Sequence, residues 1–288
     1  MIHSPQKLLA SLFVLGSLSF SPLLAQNPAK PVIDKMIRSM ENLNTLFARV
    51  NRAERVGGRI VNGEMIMKVQ EKPRKLYLFN VAPSQGTEIL FVKGWNKDKC
   101  YVSPKSFPYV NVSLHPHNGQ LLKDQHHTVH DAGLSYTRFV FKSVLDKYAD
   151  EFDEHVSYRG KITWKGVSCH AIEINYDNYA IEEYTVQGKE NCFDVGNKLV
   201  APAYKIVDLN PEIKGFFDLE DGMKIKVPNV YGKRVIIYVD TQNYLPILQM
   251  IYDEKGLFEK YEYSEVKYNP VFQDAEFTTE FKGYGFKL

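Results

Sequence analysis

The sequence predicts an α+β fold in which helices cover one face of a curved antiparallel half-barrel sheet. Aromatic residues make up 13% of the 288 residues, and aromatic side chains favour pleated, half-buried strands. Short apolar runs separated by turn signals recur along the chain, a pattern typical of antiparallel hairpins. Two longer segments carry apolar residues at helical spacing. These segments predict helices packed on one face of the sheet.

The first predicted helix is followed by a series of strands. Its apolar stripe consists of Val32, Ile33, Met36, Ile37, Met40, Leu43, Phe47 and Val50. In EMIMKVQ (64–70) apolar and polar residues alternate, which predicts a strand. Asn62 and Gly63 just before it predict a turn. Further strands are predicted at KLYLF, EILFV and CYVSP, with polar segments between them.

A second helix is predicted between Gly133 and Val156, where the apolar period lengthens again. Strands resume at RGKITWKGVSCHAIEINY. Three more, RVIIYVD, LPILQMIYD and LFEKYEYSEVKY, follow towards the end of the chain.

The N-terminus has the pattern of a secretory signal peptide over residues 1–25. Lys7 supplies positive charge, an apolar run extends from Leu8 to Phe20, and Ala25 marks the expected cleavage point. This predicts an exported, periplasmic protein of the cell envelope with no transmembrane segment in the mature chain. An uncleaved anchor is the alternative, because Leu23 is larger than the usual small residue at that distance from the cleavage point, although the apolar run is short for a membrane span.

The charge distribution and the cysteine content limit which partners and which redox chemistry the protein can have. The 36 basic and 34 acidic residues are mixed along the chain, which argues against nucleic acid as a partner. In an oxidising compartment, Cys100, Cys169 and Cys192 would supply one disulfide and one leftover thiol. The pairing stays open, and a Cys100–Cys169 bridge would leave Cys192 exposed in a loop.

A histidine cluster is the main candidate for metal chemistry. Its members are His115, His117, His126, His127 and His130. Imidazole suits zinc or copper, but the segment has no HExxH helix or cysteine pair, and a hydrogen-bonded loop explains it equally well. The chain also lacks nucleophile-elbow, Walker and dinucleotide motifs. We therefore predict a non-catalytic protein without a cofactor, and a metal-assisted hydrolase using this cluster is the alternative.

Residues 184–228 resemble a LysM domain, a strand, two short helices and a second strand. The matching positions are Tyr184, Thr185 and Val186 in the first strand, Phe193, Val195 and Gly196 in the first helix, Ile206, Leu209, Asn210 and Pro211 closing the second helix, and Leu219, Gly222, Met223, Ile225, Val227 and Pro228 in the last strand. The resemblance implies an inserted domain over 184–229, which divides a scaffold into residues 26–183 and 230–288.

The LysM resemblance also implies binding of N-acetylglucosamine-containing glycans such as peptidoglycan. The groove would lie between two loops formed by Gly188, Lys189, Glu190, Asn191, Cys192, Asn210, Pro211, Glu212, Ile213 and Gly215. The alternative is a unit that has lost glycan binding and serves as a spacer or protein contact.

The rest of the chain resembles LolA-like periplasmic carriers of lipoproteins and lipids. The resemblance lies in the opening helix, the hairpin segment GRIVNGEMIMKV, and VDTQNYLPILQMIYDEKGLFEKYEYSEVKYNPVFQDAEF near the C-terminus. It implies a half-open antiparallel barrel whose concave face holds acyl chains or a similar apolar ligand.

Alternate residues of a strand share a face, so the residues expected on this concave face are Met65, Met67, Val69, Leu76, Leu78, Ile89 and Phe91. The alternative is that they are ordinary core, in a wall-anchored structural or interaction protein without a ligand cavity.

Overall fold

The computed structural model describes residues 27–105 and 109–286, so the predicted signal peptide lies outside the described residues. The helices are α1 (Ala29–Glu41), α2 (Gly119–Leu122), α3 (Ser135–Lys147), α4 (Phe152–His155), α5 (Cys192–Leu199) and α6 (Ala203–Leu209). The strands are β1 (Thr45–Val56), β2 (Arg59–Gln70), β3 (Lys75–Ala82), β4 (Glu88–Val92), β5 (Cys100–Ser103), β6 (Val112–Leu114), β7 (Val156–Trp164), β8 (Val167–Asn175), β9 (Ile181–Thr185), β10 (Lys224–Pro228), β11 (Arg234–Asp240), β12 (Pro246–Asp253) and β13 (Gly256–Tyr268).

Eleven of these strands form one antiparallel sheet, in the order β6-β5-β4-β3-β2-β1-β13-β12-β11-β8-β7. Most strands pair with the strand that follows them in the sequence. The pairing of β1 with β13 joins the N-terminal and C-terminal strands in the middle of the sheet. The sheet is open and curved, and α1 and α3 pack against each other over one of its faces. The predicted α+β class is confirmed.

The turn between β1 and β2 differs from the prediction. Val56 pairs with Arg59, and the two residues between them are Gly57 and Gly58, with φ of +54° and +78°. Two consecutive positive φ angles suit a tight hairpin turn that glycine adopts without steric penalty. The turn predicted at Asn62 and Gly63 is wrong, because the strand continues through both residues.

The first helix is shorter than its apolar stripe suggested. It ends at Glu41, and the chain enters β1 at Thr45. In the strand Leu46, Ala48 and Val50 are buried at alternate positions, which is the period of a strand. The helical prediction beyond Glu41 is wrong because the stripe merged two segments of different period.

Strands β9 and β10 form a separate two-stranded sheet, and with α5 and α6 they make a small βααβ unit. The unit leaves and re-enters the large sheet between β8 and β11, which are neighbours there. It has its own apolar core, made of Val186, Cys192, Val195, Ala203, Ile206, Ile213, Ile225 and Val227. Gly196 is needed in this core, because a Cβ at that position would lie 2.7 Å from the Ala201 carbonyl oxygen.

The three cysteines are free and fully buried, so the predicted disulfide is wrong. Cys100 lies in β5, Cys169 in β8 and Cys192 in the first turn of α5. The expectation of an exposed thiol at Cys192 is wrong too, because the side chain packs in the core of the βααβ unit. Burial raises the pKa of the Cys100 and Cys192 thiols to about 12, which makes them poor nucleophiles.

Candidate binding cavity

A cavity of about 680 Å³ lies between the concave face of the large sheet and α3. The roof is formed by α3 side chains, among them Tyr136, Val140 and Val144, and by residues of the segment that precedes α3. The floor is formed by inward-facing residues of β1–β5 and β11–β13. A concave volume of this size with a largely apolar wall is typical of small-molecule sites.

The predicted concave face divides into two parts. Met65, Met67, Leu78 and Ile89 line the cavity. Val69, Leu76 and Phe91 are 0% exposed and do not border it, whereas Met67, Leu78 and Ile89 belong to the same core cluster and border the cavity as well.

Packing above the sheet explains this division. Val69 pairs with Leu76, and Leu76 pairs with Phe91, so the three buried residues form one row across β2, β3 and β4. The ring of His130 packs edge-on against Phe91, 4.9 Å between centroids. Gly133 lies against Val69, where an added Cβ would come within 3.4 Å. The segment before α3 therefore fills this end of the face and leaves the other end open.

The centre of the concave face is polar, which the sequence analysis missed. Arg52 pairs with Tyr261, and Tyr261 pairs with Gln249, so these three side chains form a row across β1, β13 and β12. In the adjacent row Glu54 pairs with Glu259. All five residues line the cavity. A signal was present, since the alternation of inward positions in β1 continues from Val50 to Arg52 and Glu54.

Hydrogen bonds and ion pairs satisfy the two buried glutamates. Glu259 lies 3.0 Å from His126 Nδ1 and 3.2 Å from His127 Nε2. The hydroxyl of Tyr261 donates to Glu54, which also forms an ion pair with Arg52. Two like charges opposed on a buried face would destabilise the sheet without such partners.

His127 and Glu259 stabilise each other in their charged forms. Burial by itself would lower the pKa of His127, but the Glu259 and Asp131 carboxylates raise it well above its usual value. Burial by itself would raise the pKa of Glu259, but the charge of His127 and the hydrogen bonds from His126 and His127 hold it well below its usual range. Both shifts lead away from the near-neutral pKa that suits acid–base catalysis.

The five predicted histidines separate into two groups. His115, His117 and His130 lie together, with ring centroids 5.4 Å and 5.9 Å apart. His126 and His127 lie at Glu259.

One group of possible metal ligands arises within residues 27–105 and 109–286. It combines His126 with Glu54 and Glu259, and its ligand atoms lie within 4.8 Å of one another. Each glutamate is already paired with a cation of the chain, Glu54 with Arg52 and Glu259 with His127.

The βααβ unit is bonded to the edge of this cluster. The Tyr204 ring of α6 stacks on His126 at 4.4 Å. The Lys205 ammonium is 1% exposed and lies 2.6 Å from Asp253 and 2.7 Å from Glu254. Asp253 also pairs with Arg55, whose carbonyl oxygen accepts a hydrogen bond from His126 Nε2 at 3.0 Å. Unit and cavity therefore share one buried polar network.

Several of the predicted glycan-binding residues hold the unit together. Asn210 is 2% exposed, and its amide bonds the backbone of Ile206 and Lys226. Asn191 caps α5. Glu190 accepts from Tyr184 at 2.7 Å and from Lys198 at 3.0 Å.

The other predicted glycan-binding residues differ in exposure. Cys192 and Ile213 are core residues, and Gly215 is half-buried. The predicted glycan-binding residues that are exposed are Gly188, Lys189, Pro211 and Glu212, and the adjacent Lys214 is exposed as well.

Comparison with known proteins places the chain by sequence in one family. The profile of a family described as a protein of unknown function (DUF1571) matches residues 45–204, from β1 into α6. Among curated proteins, no sequence matches the chain.

Solved structures with a similar arrangement include three bacterial proteins. A DUF1329 family protein from Desulfovibrio piger is 12% identical, with 88% of this chain and 98% of that chain covered and a TM-score of 0.34. Lipoprotein LppX of Mycobacterium tuberculosis is 15% identical, with 85% and 97% covered and a TM-score of 0.42. LprF from Mycobacterium bovis is 10% identical, with 85% and 94% covered and a TM-score of 0.39.

Across residues 27–105 and 109–286, none of the helices combines the length and the apolar character that crossing a bilayer requires.

Proposed function

We propose that this chain, which belongs to the DUF1571 family, is a non-catalytic envelope protein that binds a lipid-type apolar ligand in its cavity. The observation that carries the proposal is the open end of the concave face, where Met65, Met67, Leu78 and Ile89 border about 680 Å³ of space. The sequence resemblance to LolA-like carriers agrees with it.

An unfilled apolar cavity is unfavourable. Its lining loses the dispersion contacts that a packed core would supply, and the destabilisation grows with the volume. A ligand with apolar chains would restore those contacts and remove the exposed wall from water. Binding therefore explains why the face is open at one end although the same strands are tightly packed at the other.

The polar centre of the cavity supports a binding role over a catalytic one. Glu259 and His127 form a stable ion pair, so neither is a proton acceptor or donor poised near neutral pH. A metal-assisted hydrolase would need the carboxylates that Arg52 and His127 occupy.

The test is extraction of the purified protein with organic solvent, followed by mass spectrometry, together with titration of the delipidated protein with a fluorescent fatty acyl probe. We expect co-purified lipid, or saturable binding of about one probe per chain. Absence of lipid in the extract combined with no saturable binding would refute the proposal.

Export to the periplasm is part of the proposal and depends on residues 1–25. Cell fractionation and N-terminal sequencing of the native protein test it. A mature N-terminus near residue 26 in the periplasmic fraction is expected, and a cytoplasmic protein that begins at Met1 would contradict it.

The βααβ unit supports a second proposal, that the chain also binds peptidoglycan as an inserted LysM-type domain over residues 184–229. The favouring observation is that the unit from β9, which begins at Ile181, to the end of β10 has the strand and helix order of such a domain, with its own sheet and core. Lys189, Glu212 and Lys214 are exposed charged side chains of its two loops.

Cosedimentation with purified peptidoglycan tests this second proposal. The variant carries Lys189→Ala and Glu212→Ala, and the matched control is Lys224→Ala, which removes an exposed lysine from a strand of the same unit. We expect the intact chain and the control to pellet with the polymer and the loop variant to remain in solution. If the intact chain stays in the supernatant, the unit serves as a spacer or protein contact.

A further inference from the structure

Two buried N–H donors on the cavity wall have no hydrogen-bond partner in the described part of the chain. They are Arg52 Nε and Gln249 Nε2. The Gln249 residue is 4% exposed, and both side chains line the cavity. Buried donors are almost always paired in native proteins, so each unpaired one calls for a physical explanation.

The two donors belong to one row of the sheet. Arg52 and Gln249 are the cross-strand partners of Tyr261 on its two sides. Since adjacent strands lie about 4.8 Å apart, the two backbone positions are separated by about 10 Å. The Tyr261 hydroxyl between them donates to Glu54. The row therefore carries two unpaired donors that flank an aromatic ring, and because both atoms are themselves buried, they reach a ligand in the cavity when their side chains rotate towards it.

Gly63 shapes the Arg52 end of this row. It pairs with Arg52 across β1 and β2, and a Cβ at this position would lie 2.7 Å from Arg52 Nε. A side chain at position 63 would displace the Arg52 guanidinium from this position along the wall. The Asn-Gly pair that resembled a turn signal in the sequence thus makes room for a functional side chain.

The charges of the neighbouring row select the kind of acceptor. Glu54 and Glu259 are already matched by Arg52 and His127, respectively. An additional free carboxylate in the cavity would lack a counter-ion in a region of low dielectric constant. A neutral carbonyl oxygen accepts hydrogen bonds without adding charge.

We propose that the row Arg52–Tyr261–Gln249 is the head-group subsite of the cavity and binds the ester or amide carbonyl of an acylated lipid, whose chain lies along Met65, Met67 and Leu78. This inference rests on the proposed lipid-binding function. It adds a polar specificity that an apolar cavity alone would not have.

The experiment compares three probes of equal chain length: octadecene, methyl oleate and the oleate anion. Each is used to displace a fluorescent acyl probe from the delipidated protein. The wild type is expected to bind methyl oleate about tenfold more tightly than octadecene, as two added hydrogen bonds predict, and oleate less tightly than the ester.

The decisive variant is Gln249→Leu, which removes one donor at similar volume. It is expected to lose most of the ester preference while keeping its affinity for octadecene. Gln249→Met is a second variant in case the branched side chain disturbs packing. Asn80→Leu is the matched control, because Asn80 also lines the cavity but pairs with Met65 in another row, and it should keep the preference.

The outcomes separate the two proposals. If no probe binds the wild type, the lipid-binding function itself fails. If octadecene and methyl oleate bind equally and Gln249→Leu changes nothing, the donors are satisfied by water and the subsite is refuted while the function stands. If oleate binds most tightly and loses this advantage in Gln249→Leu, the choice of a neutral carbonyl is overturned.

Discussion

The two ends of the concave face are built from the same strands, yet one is solid core and the other borders a cavity. Val69, Leu76 and Phe91 lie at the filled end, and Met67 and Leu78 lie one row further along the same strands. The difference comes from how the segment before α3 lies over the sheet. His130 packs on Phe91 and Gly133 on Val69, while Thr128 and Val129 of the same segment line the cavity. Strand pattern thus determines which residues face inward, and the covering segment determines whether they become core or binding wall.

The largest expected effect tests the filled end. Phe91→Ala should lower the free energy of unfolding by about 3–5 kcal/mol, because it removes a fully buried aromatic ring from close packing. Ile89→Ala, at the open end of the same strand, should lose less than about 2 kcal/mol, since part of its surface faces existing space. Urea denaturation of both variants measures the difference, and equal losses would break the comparison.

The second largest effect is expected at the ion pair between Lys205 of the βααβ unit and Asp253 of β12, at the edge of the polar cluster. Lys205→Met should destabilise the protein by about 3 kcal/mol, because it leaves the buried Asp253 with Arg55 alone. Lys198→Met is the matched control in the same unit, where the exposed ammonium pairs with Glu190, and it should change stability by less than about 1 kcal/mol. Thermal denaturation that shows no difference between the two would contradict a structural role for the Lys205 pair.

Two substitutions that enlarge a leucine side chain, one at each end of the face, sharpen the comparison. Leu76→Trp overpacks the filled end and should cost about 1–3 kcal/mol. Leu78→Trp places the same side chain into the cavity, where it should leave stability nearly unchanged and abolish binding of an acyl probe. Chemical denaturation and probe titration on both variants are needed, and a large stability loss in Leu78→Trp would show that the open end is closed in solution.

The smallest effect is the pH dependence of the open end. Because the pKa of His127 is raised, its stabilisation is fully present below the unfolded value of about 6.5 and is lost as pH rises through the higher folded value. The pKa values of Glu259 and Asp131 are lowered, so their stabilisation is present above about pH 4.5 and is lost as pH falls through their folded values.

The contribution of His127, Glu259 and Asp131 should therefore be greatest between about pH 4.5 and 6.5 and should be lost on the alkaline side. His117 and His130, whose pKa values burial lowers, contribute in the opposite sense below about pH 6.5. His127→Gln should flatten that alkaline limb, and Phe91→Ala should not alter its slope. Denaturation series between pH 4 and 10 give the measurement. A stability difference between wild type and His127→Gln that stays constant from about pH 6 to about pH 10 would contradict the ion pair of His127 with Glu259.

The sequence anticipated the hairpins because local alternation and turn residues are read from neighbouring positions. KLYLF and EILFV became β3 and β4 with the expected inward faces. The errors came where two periods joined, at the end of α1, and where glycine had a second role, at Gly63. The predicted disulfide failed because cysteine number and compartment do not determine which thiols meet.

The sequence predicted only part of the candidate site. The apolar residues of β2–β4 were identified, but Tyr261, Gln249 and Glu259 were not. Tyr261 and Glu259 contact residues that are distant in the sequence. The Tyr261 hydroxyl, for example, donates to Glu54, which is 207 positions away. Charged residues at inward positions of β1 were the one local signal of this polar row.

By itself, the sequence determined the class of fold, most of its strands and helices apart from β1, and which side chains of a strand share a face, because these follow from backbone periodicity over a few residues. Only the tertiary structure decided that β1 pairs with β13, that one end of the concave face is covered and the other open, and that a polar row crosses the cavity wall. Those features depend on packing and register between distant segments, whose energies are sums over contacts that no single stretch of sequence contains.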